Sequence, residues 1–141
     1  MSVNTHNIKI SGIANKWTAE YIANQFWRQH IAKVSSITFM PYLNERDEIY
    51  KIAYITIASF CDTEIAYNFI KRLNKNMEAR LVFNDDDYWI VEINNHNDGN
   101  VIMERFTTIF TDKYYDKLES NVTLRPHQKA FKNQLLTRIK L

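Results

Sequence analysis

Tyr50 to Phe60, with the sequence YKIAYITIASF, is the most strand-like stretch of the chain. Isoleucine and tyrosine dominate it, and β-branched and aromatic residues are enriched in strands because their side chains suit a pleated, half-buried surface. The polar segment Asn44–Glu48 precedes this stretch, and the change from an apolar to a polar composition marks a loop. We therefore predict a central strand of a sheet at Tyr50–Phe60.

The residues before this stretch predict two further strands with a helix between them. Ile8–Ile13 alternates apolar and polar side chains with the two-residue period of a half-buried strand. Thr18 is suited to cap a helix, and the residues after it place Ile22 and Phe26 on one helical face. Val34–Tyr42 again alternates, which predicts the second strand.

The residues after it predict a second helix and a small hairpin. Asp62 or Thr63 begins the helix. Its apolar stripe has spacings of three and four residues and comprises Ala66, Phe69, Ile70 and Leu73. Two short strands follow, at Ala79–Phe83 and Tyr88–Ile93, around a turn at Asn84–Asp87.

The predicted order is therefore βαββαβ, with a small hairpin before the last strand. This order is typical of the α+β class and of the ferredoxin-like sandwich, in which two helices cover one sheet face and the other face stays open. The polar segment Asn94–Asn100 marks the end of this unit. We predict one domain over residues 5–95 and a C-terminal helical extension over residues 96–141 that packs on it.

Two amphipathic helices are predicted in the extension. The first spans Val101 to Leu118, and the second begins near Pro126 and carries Phe131, Leu135 and Ile139 at four-residue spacing. The last 22 residues of the chain hold five basic and no acidic side chains, whereas the whole chain of 141 residues has a formal net charge of only +2. A sequence-independent attraction to phosphate groups would therefore come mainly from this tail.

Composition excludes several classes of function. Two glycines leave no room for a glycine-rich phosphate loop, and one cysteine cannot form an internal disulfide or a cysteine zinc cluster. Neither the scattered histidines nor the three aspartates Asp85–Asp87 have the spacing of a metal site, so no metal or cofactor is expected. The sequence shows no recognisable set of acid, base and nucleophile, and we therefore expect that the protein is not an enzyme.

The chain also lacks the sequence features of a membrane or exported protein. No apolar run approaches the roughly 20 residues of a membrane span. The first residues do not show the basic-then-apolar pattern of a signal peptide. We therefore expect no membrane association and an intracellular location.

The βαββαβ order, with Ile8–Ile13 and Tyr50–Ile57, resembles the RNA recognition motif (RRM) family over residues 5–95. That family stacks bases on one aromatic of its first strand and two of its third. The corresponding positions here are Lys9, Ile52 and Tyr54, of which Tyr54 matches, and Lys51 stands where the family has a glycine. The resemblance implies an RRM-like fold and binding of RNA.

A closer resemblance is to the RRM-like proteins of large DNA viruses, a group defined by its fold rather than by an assigned activity. It rests on Ala32–Ile37 (AKVSSI) and on Glu78–Trp89 (EARLVFNDDDYW). This likeness implies a viral protein, with a location in the host cytoplasm or the virion.

Two groups of residues are candidates for binding RNA or another single-stranded nucleic acid. On the open sheet face, Tyr50, Tyr54 and Tyr88 offer rings to bases and Lys9 offers a charge. In the tail, basic side chains offer contacts to phosphates: Arg125, Lys129, Lys132 and Lys140. The alternatives are an apolar face covered by the Val101–Leu118 helix or by a protein partner, and a tail helix whose basic side is merely solvated.

We predict that the extension is part of the fold. Undocked, it would expose a large apolar stripe formed by Phe106, Ile109, Phe110 and Tyr114. Truncation after Asn97 is therefore expected to lower the melting temperature or the solubility. A truncated protein that stays monodisperse with an unchanged melting temperature contradicts this prediction.

Overall fold

The structure is a computed structural model and describes residues 5–94 and 106–120. Within them, an α+β fold combines six antiparallel strands with three helices. Their bounds in chain order are β1 Asn7–Ala14, α1 Ala19–Arg28, β2 Ala32–Leu43, β3 Ile49–Phe60, α2 Glu64–Asn76, β4 Glu78–Val82, β5 Tyr88–Ile93, β6 Thr107–Ile109 and α3 Asp112–Ser120. The described residues divide into two compact units after Ile109, the first with the sheet and the second with α3.

The strands form one sheet in the order β4-β5-β1-β3-β2-β6. Each neighbouring pair is antiparallel. β3 lies between β1 and β2, so the prediction of an inner strand at Tyr50–Phe60 is confirmed. The sheet nevertheless exceeds the four strands of a simple ferredoxin-like sandwich, because β4 and β6 lie at its two edges.

The hydrophobic core lies on one face of this sheet. In β1, Ile8 and Ile10 are completely buried while Lys9 between them is partly exposed, as the two-residue period of a strand requires. The two long helices bury their apolar stripes, and the rings of Phe26 in α1 and Phe69 in α2 meet edge to face with centroids 6.0 Å apart. Such aromatic pairs stabilise a core beyond the area they bury.

Threonine caps fix the start of both long helices. In α1, the Oγ1 of Thr18 accepts the Tyr21 backbone N–H at 3.1 Å, which confirms the predicted cap. In α2, the Oγ1 of Thr63 accepts the Ala66 N–H at 3.1 Å and also donates to the carbonyl of His30 at 2.6 Å. Thr63 therefore joins the start of α2 to the segment that follows α1.

The predicted helix over Val101–Leu118 is wrong at residues 107–109. There the chain forms β6 and pairs with β2, with Thr108 opposite Ile37 and Thr107 opposite Thr38. Three successive β-branched residues favour an extended backbone, and the edge of β2 supplies the partner that makes it stable. The α3 helix begins only at Asp112, while residues 101–105 and the predicted helix from Pro126 lie outside the described residues.

The two caps give a matched prediction of stability. Thr63→Ala is expected to lower the free energy of unfolding by about 2 kcal/mol, because it removes the cap and the bond to His30. Thr18→Ala, which removes a single bond, is expected to cost about 1 kcal/mol. Denaturant unfolding of both variants measures the difference, and equal losses contradict a role for Thr63 in joining the two segments.

Candidate nucleic-acid interface

The open face is the sheet face opposite the buried isoleucines of β1, and a row of paired residues crosses it. Lys9 lies on this face, directly opposite Tyr54 of β3 on one side and Glu92 of β5 on the other. The row crosses all six strands, and we call it the central row: Glu78, Glu92, Lys9, Tyr54, Thr38 and Thr107. The pairing therefore places Lys9 and Tyr54 side by side on neighbouring strands.

Tyr50 lies on the same face because β3 continues without a register shift from Tyr54 to Tyr50 against β2. It pairs with Tyr42, and the two rings lie 6.3 Å apart with their planes tilted by 33°. This spacing leaves no room for a base between the rings, so stacking on the pair would use an outer ring surface. Tyr42 thus adds an aromatic side chain to the candidate site.

Tyr88 is the third predicted tyrosine of the open face, four residues before Glu92 on β5. The guanidinium carbon of Arg80 lies 4.6 Å from the centre of its ring, and Arg80 itself pairs with Ile90 in the hairpin of β4 and β5. A cation over a tyrosine ring is attracted by the ring's negative face. Arg80 therefore gives the site a second positive charge.

The register also fixes how far apart these side chains lie. Four residues of a strand span about 13 Å, which separates Tyr50 from Tyr54 along β3. Because β3 and β5 are both antiparallel to β1, Tyr88 lies at the same end of the sheet as Tyr50, roughly 10 Å away across two strand spacings. The fold brings Lys9 and Tyr54 to adjacent positions and places Tyr50 and Tyr88 about 13 Å further along the same face.

Part of the open face remains accessible to solvent. Tyr88 and Ile90 on β5 are 45% and 41% exposed, and Val82 on β4 is 49% exposed. Residues 107–109, part of the predicted helix that one alternative laid across this face, lie instead at the sheet's edge beside β2. There the hydroxyls of Thr38 and Thr107 share a hydrogen bond of 2.8 Å.

The charges of the open face balance one another. Lys9 and Arg80 supply two positive charges, while Glu78 and Glu92, paired directly with each other, supply two negative ones. This balance gives the face little attraction for a phosphate backbone at long range. The basic residues predicted for that role lie outside the described residues: Arg125, Lys129, Lys132 and Lys140.

Sequence reasoning missed two members of this surface, Tyr42 and Arg80. The signal for Tyr42 was present, because it continues the alternation of Thr38 and Met40 along β2. The position of Arg80 requires the exact register of the hairpin, in which Arg80 faces Ile90 across the turn at Asn84–Asp87. A side chain's neighbour on the next strand depends on this register and not on local periodicity.

Lys51 occupies the position where the RRM resemblance expects glycine, and its ammonium has a structural role. Its Nζ donates to the carbonyl of Trp17 at 2.6 Å and lies 4.1 Å from the centre of the Phe39 ring. Burial lowers the pKa of this ammonium from its usual value. Lys51 thus ties β3 to the connection between β1 and α1.

Groups capable of other chemistry are separated in the described residues. Within residues 5–94 and 106–120, no cluster of three or more histidine, cysteine, aspartate or glutamate side chains could hold a metal ion. Burial raises the pKa of the Cys61 thiol, although the charge of Lys33 acts in the opposite direction. None of the helices described is long and apolar enough to cross a membrane.

No known family model, no characterised protein and no solved structure matches this chain.

Proposed function

We propose that this chain is a noncatalytic binding module that binds RNA or another single-stranded nucleic acid through its open face. The observation that carries the proposal is the pairing of Tyr54 with Lys9 in the central row, flanked by further tyrosines on the same face. Aromatic rings beside positive charges are the usual elements of a surface for single strands, because rings stack on bases and cations attract phosphates.

The strand order supports an RRM-like fold as part of this proposal. The inner strands follow the order β5-β1-β3-β2, with α1 between β1 and β2 and α2 after β3. In this proposal β5 is the fourth strand of a ferredoxin-like core, and β4 and β6 are additions at its edges. The proposal extends to a viral origin only through the sequence resemblance.

The two parts of the proposed interface have different tasks. Tyr50, Tyr54 and Tyr88 stack on bases, and this contribution is nearly independent of salt. The basic tail, represented by Lys129 and Lys132, contacts phosphates and supplies the salt-dependent part, because the open face itself carries balanced charges.

A protein partner on the open face is the second candidate function. Ile90 and Val82 favour it, because branched aliphatic side chains at 41% and 49% exposure suit an apolar contact better than a base. The two candidates differ in the side chains that matter. Nucleic acid requires the tyrosine rings, whereas a protein partner requires the aliphatic residues.

Tyr54→Ala and Tyr88→Ala test the stacking part of the proposal. Stacking on an aromatic ring contributes about 1–3 kcal/mol per base, so each variant is expected to weaken binding of single-stranded RNA about 5- to 150-fold. Tyr67→Ala is the matched control, because Tyr67 lies on α2 and is 75% exposed. Fluorescence anisotropy with a short labelled oligonucleotide measures all three affinities.

A binding measurement on the wild-type protein is the most direct way to refute the proposal. The electrostatic attraction is greatest at low salt, so absence of binding to both single-stranded RNA and DNA under that condition refutes the proposal. Equal effects of Tyr67→Ala and Tyr54→Ala would also contradict a specific role for the open face.

Lys129→Ala combined with Lys132→Ala tests the tail. Each lost contact to a single-stranded phosphate backbone is expected to reduce the slope of log affinity against log salt by about 0.7, with little change in base preference. Lys16→Ala combined with Lys113→Ala removes the same charge from two other exposed lysines and serves as the control. An unchanged slope in the tail variant contradicts a role for these lysines.

A further inference from the structure

The end of the hairpin formed by β2 and β3 exposes apolar side chains that the proposed function does not use. The pairing of β1 with β3 ends at Ala14 opposite Tyr50, and the hairpin continues beyond it. There Leu43 and Ile49 face each other in register and are 64% and 52% exposed. Two directly paired aliphatic residues with this exposure are a small apolar patch at the end of the sheet.

The loop between them is ordered and acidic. The Oδ1 of Asn44 accepts the backbone N–H groups of Arg46 and Glu48, each at 2.9 Å, and the Asn44 N–H donates to the Glu48 carbonyl at 3.0 Å. Glu45, Asp47 and Glu48 outnumber the single Arg46, which gives the loop a net charge of −2. We call Leu43–Ile49 the hairpin tip; it presents an apolar pair beside a fixed group of acids.

The outer surface of α2 has the opposite charge. From Glu64 to Asn76 this helix carries three cations, Lys71, Arg72 and Lys75, and one acid, Glu64 in its first turn, which leaves a net charge of +2. Ile65 on the same helix is 55% exposed. We call these four side chains the α2 surface: Ile65, Lys71, Arg72 and Lys75.

The cations of the α2 surface repel one another. Lys71 and Lys75 are four residues apart and Arg72 and Lys75 three apart, and like charges at these spacings destabilise a helix. Among the residues that the structure describes, none of the three forms an ion pair. An acidic partner would relieve this repulsion, and an apolar contact to Ile65 would add to the binding.

We propose that the hairpin tip of one copy of the chain docks on the α2 surface of a second copy. Both surfaces combine exposed apolar side chains with charge, and their charges are opposite in sign. Because α2 begins after the far end of β3, about 36 Å from the hairpin tip, and returns by only about 20 Å, the two surfaces of one copy stay apart.

The contact joins two different surfaces, so each copy keeps one free surface for the next. Such a heterologous contact builds chains of copies rather than closing at a dimer, unless the rotation between copies forms a ring. The ordered loop lowers the entropic cost of docking, because Asn44 already holds it in one conformation.

Sedimentation velocity on nuclease-treated full-length protein tests the association. At low salt the mean mass is expected to rise with concentration beyond twice the monomer mass. It is expected to fall towards the monomer at 1 M salt, where the screening length shrinks from about 10 Å at 0.1 M to about 3 Å. A monomer at every concentration, or a mass that stops at a dimer unaffected by salt, overturns the proposal.

Charge reversal identifies the surfaces. Glu45→Lys with Glu48→Lys changes the hairpin tip from −2 to +2, and Lys71→Glu with Lys75→Glu changes the cations of the α2 surface from +3 to −1. Each variant alone is expected to associate at least about 10-fold more weakly, because its two surfaces now repel or no longer attract. An equimolar mixture is expected to regain association, since each tip then meets an opposite charge.

Lys16→Glu with Lys113→Glu is the control for net charge, because both lysines are exposed and lie outside the two surfaces. Circular dichroism and thermal unfolding confirm that every variant is folded. A mixture that stays monomeric overturns the proposal. So does an α2 variant that loses nucleic-acid affinity but associates like the wild type, because the α2 surface then binds phosphates.

Discussion

The burial of isoleucines on one face of β1 and β3 is the constraint on which the rest of the structure depends. Ile8 and Ile10 are completely buried, and their partners Ile55 and Ala53 lie against them in register. Because successive side chains of a strand point to opposite faces, this burial forces Lys9 onto the other face together with Tyr54. A shift of one residue would bury the lysine and expose the isoleucines, so the core determines the composition of the open face.

This dependence explains which parts of the fold could be predicted from the sequence. The alternation of Ile8–Ile13 and Tyr50–Phe60 and the cap at Thr18 are local signals, and each predicted element is present at these positions. β6 has no comparable signal, because three residues become a strand only when the edge of β2 lies beside them. The apolar spacing around Thr107–Ile109 also fits a helix. These residues form a strand instead because they pair with β2, which is distant in sequence.

The candidate site shows the same division between local and distant information. Tyr54 and Lys9 could be assigned to one face from alternation alone. The pair Tyr42 and Tyr50, and the contact of Arg80 with Tyr88, depend on strand register and turn geometry. The contacts of Lys51 also depend on tertiary structure, because its ammonium donates to the Trp17 carbonyl and lies over the Phe39 ring.

The central claim is that the open face contacts single-stranded nucleic acid, and amide chemical shifts test it most directly. In a titration of labelled protein with a short single-stranded RNA at low salt, the amide shifts report on all parts of the sheet and helices at once. The account predicts that shifts concentrate at Lys9, Tyr54 and Tyr88 and leave Tyr67 on α2 unchanged. Shifts confined to α2, or none beyond the basic tail, would contradict a role for the open face in binding.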